Sequence, residues 1–260
     1  MTGTREPVMA WQFLRRHFVQ FVFGAVLVVA AYFAISIYAT YLREQRIAKV
    51  LASHGGYSQS YYAGPDWIPQ VVRENMPLLD RVRCVYFTSD TKVSEASIEH
   101  LKKLTHLDSL ELSHTQVTDT DLKLLKGLTN LKLLYFDNTK VTNAGLLHLK
   151  GLTNIEELGL GATHVTNTGL MHLKRLPQLR ILYLGNTRVT DAGLVHLKGL
   201  TNLEELDVSH TQITDAGLEH LIGLTKLYLL NVEGTEVTAE GRAMFRKSLP
   251  NCDIEIEPVH

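Results

Sequence analysis

A period of 24 residues dominates this sequence and constrains its fold more than any other feature. Threonine stands at 91, 115, 139, 163, 187, 211 and 235, and the residues around it keep the same spacing. In the repeat 203–226 the apolar positions are Leu203, Leu206, Val208, Ile213, Leu218, Leu221 and Leu224. Histidine, aspartate and hydroxyl side chains recur with the same period. Because an active site has no reason to recur, we expect most of these polar groups to serve the structure.

The spacing of the apolar residues predicts one strand and one short helix in each repeat. Leu-x-Leu alternation directs two side chains of a strand to one side, and leucines at i, i+3 and i+6 form one stripe of a short helix. A single repeat cannot bury both stripes, so neighbouring repeats must stack and share a continuous core. We therefore expect an α/β solenoid with a parallel sheet on its concave face and short helices on its convex face.

Three recurring positions have predicted structural roles. A buried hydroxyl has to bond to nearby backbone, so Thr211 and its equivalents are expected to form a ladder between successive turns. Thr214 is placed to cap a helix N-terminus, with Asp215 in the first turn, where the helix dipole favours it. Gly217 is expected to allow close approach of the next coil.

The repeat itself carries a family resemblance. The pattern L-x-x-L-x-L-x-x-T-x-I, followed by L-x-x-L-x-x-L, matches the leucine-rich repeat signature with Thr where Asn or Cys is usual. The chain resembles membrane-anchored bacterial leucine-rich repeat proteins built on TxVTDAGLxHLKGLTxLxxLxL. That family has an N-terminal membrane span, a helix ending in Gly-Gly, matched by residues 42–56, and a segment before a Trp-containing helix, matched by YSQSYYAGPDWIPQVV. The resemblance implies a fold and a location, and it carries over no catalytic residue and no ligand.

Distinct segments flank the repeat array. In front, Val85 and Phe87 keep an apolar strand without the leucine pattern, as a terminal repeat requires. Behind, residues 252–257 alternate apolar and acidic side chains, which predicts inward Cys252, Ile254 and Ile256 and charges that protect the open sheet edge. The predicted boundaries are a tail at 1–17, a transmembrane helix at 18–42, a juxtamembrane helix and linker at 43–65, an N-terminal cap at 66–89, leucine-rich repeats at 90–233 and a C-terminal capping repeat at 234–260.

The run from Phe18 to Leu42 contains no formally charged residue. As a helix it would extend about 37 Å, enough for a hydrocarbon core of about 30 Å, so we expect a single-pass transmembrane helix. A cleaved signal peptide is the alternative, since residues 34–36 offer a small-x-small site, but the apolar run continues beyond it. Three Lys/Arg residues lie on each side of this run, so the distribution of positive charge does not predict its orientation in the membrane. The short N-terminal tail favours an extracytoplasmic location for the large domain.

The charge of the chain bears on its class of partner, and its two cysteines bear on metal, redox and disulfide roles. The formal net charge is −1, but residues 1–49 hold six Lys/Arg and two Asp/Glu. The remainder is therefore at about −5, which argues against nucleic acid as the main partner. Cys84 and Cys252 fit no metal or redox motif. They are expected on the first and last of eight neighbouring strands, too far apart for a disulfide, and we interpret both as core residues.

The outward residues of the strands are the candidate binding site, because side chains on a concave face are free of packing duties. The third and fifth positions of L-x-x-L-x-L face outward, and across the strands apolar and acidic pairs alternate. The candidate partner-binding residues are Leu133, Tyr135, Glu157, Ile181, Tyr183, Glu205, Asp207 and Leu229. Such a face would suit an extended peptide or protein that carries basic residues. Duplication of a two-repeat unit, without functional use, is the competing explanation.

Histidines also recur, on the helical side, at His100, His148, His172, His196 and His220. They lie on successive helices rather than converging on one ion, so a solvated surface is expected, with pH-dependent association as the alternative. The sequence has no G-x-S-x-G, phosphate-binding loop, H-E-x-x-H or C-x-x-C motif. We expect no enzyme, no cofactor and no metal site.

Together these features predict a single-pass membrane protein that presents a leucine-rich repeat solenoid as a binding module for a protein or peptide. The first alternative is a passive structural or envelope-organising protein without a specific ligand, which would be favoured if the concave face proved indifferent to mutation. The second is a catalytic or catalysis-regulating role, which requires chemistry that the sequence does not show.

Overall fold

The structure is a computed structural model of the 260-residue chain. It describes the backbone of residues 6–53, 56–62, 80–87, 93 and 95–256, and their side chains except those of 6–27, 30, 60–62, 80 and 95. Thr91, Glu257 and most of the predicted N-terminal cap lie outside the described residues. The chain divides into two compact units, Met1–Gln45 with Tyr62–Asp80, and Arg46–Tyr61 with Arg81–His260.

Helix α1 covers Glu6–Ser53 and includes the predicted membrane span. Within the described part of the chain, no helix combines the length and the apolar character needed to cross a membrane. The predicted transmembrane helix is therefore not confirmed.

A nine-stranded sheet runs through the described residues in strict sequence order. From the second strand onward, neighbouring strands pair in parallel, and among the repeats each step advances by one whole repeat, so that Leu134, Leu158 and Leu182 are adjacent. The strands are β1 (Gly56–Tyr62), β2 (Asp80–Phe87), β3 (Ser109–Glu111), β4 (Leu133–Tyr135), β5 (Glu157–Gly159), β6 (Ile181–Tyr183), β7 (Glu205–Asp207), β8 (Leu229–Asn231) and β9 (Asp253–Glu255). Strand β1 adds a strand to the sheet where the sequence predicts a linker.

Each repeat returns from its strand through a short helix. These helices are α2 (Glu95–Leu101), α3 (Asp119–Leu122), α4 (Asn143–Leu146), α5 (Asn167–Leu170), α6 (Asp191–Leu194), α7 (Asp215–Leu218) and α8 (Ala239–Ser248). Four of them lead into 3₁₀ helices at Lys123–Gly127, Leu147–Gly151, Leu173–Arg175 and Val195–Leu197. Because a 3₁₀ helix has three residues per turn, leucines spaced by three residues stay on one side.

The core is one continuous stack of aliphatic side chains, as predicted. Leu206, Leu218 and Leu221 are at most 3% exposed, and their equivalents in the other repeats are buried as well. Strand leucines pack from the sheet side and helix leucines from the opposite side of the same coil. The arrangement shields every repeat by its neighbours, which is the condition for a stable solenoid.

The threonine row is buried but bonds differently from the prediction. Thr115, Thr139, Thr163, Thr187 and Thr211 are nearly inaccessible to solvent. Each hydroxyl donates to the carbonyl oxygen three residues earlier in its own coil, for example Thr163 Oγ1 to Leu160 O at 2.6 Å. The predicted ladder between turns is therefore wrong for these hydroxyls. The carbonyl oxygen at the end of the strand in the same coil accepts the hydrogen bond.

The ladder between coils instead uses the first residue of each short helix. Thr214 donates its N–H to Asp191 Oδ1 at 2.8 Å and its hydroxyl to Asp191 Oδ2 at 2.7 Å. Thr214 Oγ1 in turn accepts from the N–H of Ala216 at 3.2 Å, which confirms its predicted capping role. The same Thr N–H bond to the preceding coil recurs with Asp119, Asn143, Asn167 and Asp215 as acceptors.

Five of the short helices carry a glycine two residues after their first residue, where the preceding coil leaves no room for a side chain. A Cβ at Gly217 would overlap Oδ1 of Asp191, and Gly145, Gly169, Gly193 and Gly241 meet the corresponding Asp or Asn. The close approach predicted for Gly217 is thus present, but it involves the preceding coil rather than the next one.

Both ends of the second unit extend the core. At the N-terminal end, Val85 and Phe87 are buried as predicted, and Ile47 and Leu51 from the end of α1 join the core. At the C-terminal end, Cys252 and Ile254 are buried, whereas Ile256 is 48% exposed. The inward placement predicted for Ile256 is wrong because β9 ends at Glu255 and no further described strand covers the next position. Cys84 and Cys252 are free thiols.

Candidate functional site

The predicted binding residues occupy outward positions in two rows across the sheet, each of which spans five strands. One row joins Leu133, Glu157, Ile181, Glu205 and Leu229, and the other joins Tyr135, Gly159, Tyr183, Asp207 and Asn231. Neighbours in a row lie on strands about 4.8 Å apart. All eight predicted side chains are partly exposed. The rows therefore bring apolar and acidic groups together on one surface.

Two tyrosines on this surface contact a carboxylate of a neighbouring strand. Tyr135 donates its hydroxyl to Glu157 Oε2 at 2.5 Å, and burial together with this bond raises the pKa of Tyr135. Tyr228, which precedes β8, contacts Glu205 in the same way. Tyr86 continues the tyrosine row and stacks on Tyr57 with ring centroids 5.4 Å apart. Neither Tyr86 nor Tyr228 was predicted, although inward Val85 and Phe87 imply that Tyr86 faces outward.

The residues just before the strands carry balanced charge. Lys132 Nζ lies 2.7 Å from Glu156, Arg180 binds Glu204 through two nitrogens at 2.9 and 2.7 Å, and Arg83 pairs with Asp108. Hydrogen bonding to Glu156 raises the pKa of Lys132, and the Arg180 contact lowers that of Glu204. Positive and negative groups thus alternate and neutralise each other along this edge of the sheet.

The opposite edge, at the C-terminal ends of the strands, is acidic. Asp137 accepts from the Gly161 N–H at 2.7 Å and from the Ser113 hydroxyl at 3.2 Å. Asp207 accepts from the Ser209 N–H at 2.8 Å. Burial raises the pKa of Asp137, which therefore holds its charge at some cost. Among the residues that the structure describes, no lysine or arginine pairs with Glu111, Asp137, Glu157, Glu205 or Asp207.

A groove of about 420 Å³ opens at this acidic edge. Its floor is formed by Gly161 and Gly185, and Tyr135 and Tyr183 stand on the sheet side. The other wall consists of turn residues that adopt positive φ, including Asn138, Ala162 and Asn186. His114 and Asp137 lie toward one end of the groove, and Asp207 and Ser209 lie toward the other. Of these lining groups only Tyr135, Tyr183 and Asp207 were predicted, and the glycines at 161 and 185 are the signal in the sequence that could have located the groove.

The histidine file lies on the convex side and is partly buried rather than fully solvated. Burial and the nearby Lys126 and Lys123 lower the pKa of His148, and burial and Arg175 lower that of His172. In the described part of the chain, no three His, Cys, Asp or Glu side chains converge as metal ligands.

The stacked coils contain leucine-rich repeats, and acidic and aromatic side chains lie on the outward face of their sheet. Family models named "Leucine Rich repeats (2 copies)" and "Leucine Rich repeat" match residues 177–220 and 103–126. No curated protein matches the chain.

Two solved structures from Listeria monocytogenes share the fold. The chain is 22% identical to an internalin (inlF), with a TM-score of 0.50, over 67% of this chain and 54% of that one. It is likewise 22% identical to internalin C2, with a TM-score of 0.51, over 68% of this chain and 81% of that one. The chain thus spans about half the length of the first of these proteins.

Proposed function

We propose that this protein is a binding module that recognises a protein or peptide carrying basic residues through the concave face of its sheet. The observation that carries the proposal is the combination, on a single exposed surface, of apolar stripes and carboxylates that pair with no described lysine or arginine. Leu133, Ile181 and Leu229 offer apolar area beside Glu157 and Glu205. The apolar groups of a matching partner would bury these aliphatic side chains, and its cationic groups would neutralise the carboxylates.

The opposite face of the solenoid provides the control for a binding experiment. Val195 and Ile222 are 42% and 40% exposed on the convex side, so their replacement changes exposed apolar area without touching the concave rows. Full-length chains with Tyr135→Ser and Tyr183→Ser, or with Val195→Ser and Ile222→Ser, would be crosslinked in the native cell and purified. We expect the concave pair to lose partners that the convex pair retains. An unchanged partner set for the concave pair would refute the proposal and favour a passive structural role.

We further propose that the segment from Phe18 to Leu42 anchors the protein in a membrane with the repeat domain outside the cytoplasm. The support is the sequence, because this run carries no formal charge and is long enough for a membrane core. Extraction of membranes with alkaline carbonate should leave the full chain in the pellet, and added protease should degrade the repeat domain in intact spheroplasts. Release by carbonate would contradict the anchor, and protection from protease would contradict the orientation.

A further inference from the structure

We infer that the groove above Gly161 and Gly185 is an anchor pocket for an arginine side chain of the partner. This inference rests on the proposed function of the concave face and adds the chemistry of the group that is recognised.

The groove exists because three neighbouring positions are occupied by glycine. A Cβ at Gly159 or Gly161 would run into the Asp137 carboxylate, and one at Gly185 would come within 3.0 Å of Asp207 Oδ2. The flanking coils carry Asp137 and Ser209 at the positions equivalent to these last two glycines. The exposed backbone of these glycines therefore makes the groove two coils wide, so that a long, narrow side chain can lie in it.

Charge favours a cationic occupant. Asp137 and Asp207 bound the groove, and their hydrogen bonds come from backbone N–H groups and a serine hydroxyl rather than from lysine or arginine. Lys132 and Arg180, which precede two of the strands, are held in ion pairs at the opposite edge. A positive group from outside would thus meet carboxylates that pair with no described lysine or arginine of this chain.

The aromatic wall favours arginine over lysine. Tyr135 and Tyr183 line the same side of the groove, two strands apart. A planar guanidinium can lie against a tyrosine ring and still direct several N–H donors to a carboxylate, whereas a compact, strongly hydrated ammonium cannot do both equally well. A neutral side chain of the same shape would leave the carboxylates without a counter-charge.

A set of matched peptides tests this chemistry directly on the full-length chain. Fluorescein-labelled Gly-Leu-Gly-Arg-Gly-Leu-Gly would be titrated by fluorescence anisotropy at low salt, beside versions with lysine or citrulline in place of arginine. Citrulline has the same shape without the charge. We expect the arginine peptide to bind at least tenfold more tightly than the citrulline peptide, with lysine between them. Equal binding of arginine and citrulline would overturn the inference, and equal binding of arginine and lysine would overturn the choice of arginine.

Variants of the groove locate the site. Gly185→Ala fills the floor, and its Cβ meets only the movable ends of Ser209 and Asp207, so folding should survive. Gly151→Ala is the control, because nothing lies within 4 Å of its Cβ. We expect Gly185→Ala and Asp137→Asn each to weaken the arginine peptide at least fivefold and Gly151→Ala to leave it unchanged, with thermal denaturation checking that all three fold. Full binding by both groove variants would overturn the inference.

The two proposals can fail separately. If the peptides show no preference for arginine while Tyr135→Ser and Tyr183→Ser still lose cellular partners, the arginine pocket is wrong and the concave binding face stands. If those tyrosine variants keep every partner, the proposed function itself is wrong.

Discussion

A buried threonine closes the turn after the strand in five of the described repeats. In the coil of Thr163 the strand-end carbonyl of Leu160 receives the threonine hydroxyl at 2.6 Å, and Ala162 between them adopts a φ of 51°. The hydroxyl therefore satisfies a buried acceptor at a point where the backbone leaves the sheet and cannot use a regular ladder bond. The sequence predicts the burial of this row but not the acceptor, because spacing alone cannot distinguish the carbonyl of the same coil from that of the next.

Replacing this hydroxyl by a methyl group should be costly. Thr163→Val keeps the size of the side chain but removes the hydrogen bond to Leu160, so we expect a loss of about 1–3 kcal/mol and a fall in Tm of about 2–4 °C for each kcal/mol. Thermal denaturation followed by circular dichroism measures it. Thr153→Val, at an exposed turn position, is the control and should leave Tm unchanged; equal Tm values for the two variants would contradict the role.

The carboxyl of Asp137 should make stability depend on pH. Burial raises its pKa in the folded state, so the folded chain holds this proton more tightly than the unfolded chain does. Its contribution to stability is therefore largest at acid pH and declines as pH rises from the unfolded pKa of about 3.9 through the higher folded value. Asp137→Asn, which stays neutral and can keep both hydrogen bonds, should be more stable than the parent at pH 7.

Comparison across pH separates this effect from a general change in packing. The advantage of Asp137→Asn over the parent should shrink as pH falls below the unfolded carboxyl pKa. A destabilised Asp137→Asn at pH 7 would contradict the account. A variant that gains stability while losing the arginine peptide would mark Asp137 as a residue kept for binding at the expense of stability.

At the scale of elements, short helices are held by the coil that precedes them. Helix α7 has only four residues, too few to be stable alone, and its capping residue Thr214 is fixed by two hydrogen bonds to Asp191. The sequence predicts a helix and its cap at this place. It does not predict the acceptor from the preceding coil, because contacts at a separation of 23 residues follow from stacking rather than from local propensity.

A pair of substitutions at Asp191 tests this ladder. Asp191→Ala removes the acceptor of both Thr214 bonds, and the loss of such a cap costs about 0.5–2 kcal/mol. Asp191→Asn should cost less, because Asn143 and Asn167 accept the equivalent threonine N–H bonds at 2.9 and 2.8 Å. Urea denaturation of the full chain gives both values. A smaller loss for alanine than for asparagine would show that the bond between coils contributes nothing.

At the scale of the whole molecule, stacking identical coils produces two very different surfaces. The interior is set by leucine spacing and was predicted almost completely, since every repeat carries the same apolar positions. The outward rows were also predicted, because alternation along a strand decides which side chains face away from the core. The groove was not predicted, because it depends on the absence of side chains at Gly161 and Gly185, each of which follows a strand and precedes a turn residue with positive φ.

The difference between the surfaces has a functional consequence. Charges before the strands are paired within the chain, whereas no described lysine or arginine pairs with the carboxylates at and just after the strand ends. Binding through this region should therefore weaken as salt concentration rises, since added ions screen exposed carboxylates.

Site-specific photo-crosslinking shows whether a partner binds the outward face of the sheet. p-Benzoylphenylalanine would replace Tyr183 on the concave face or Val195 on the convex face of otherwise unchanged full-length chains, which would be irradiated in the native cell. We expect partner adducts at position 183 and none at position 195. The adducts at position 183 should be lost in high salt. Adducts of the same partner formed equally at both positions, or at 195 alone, would contradict this expectation.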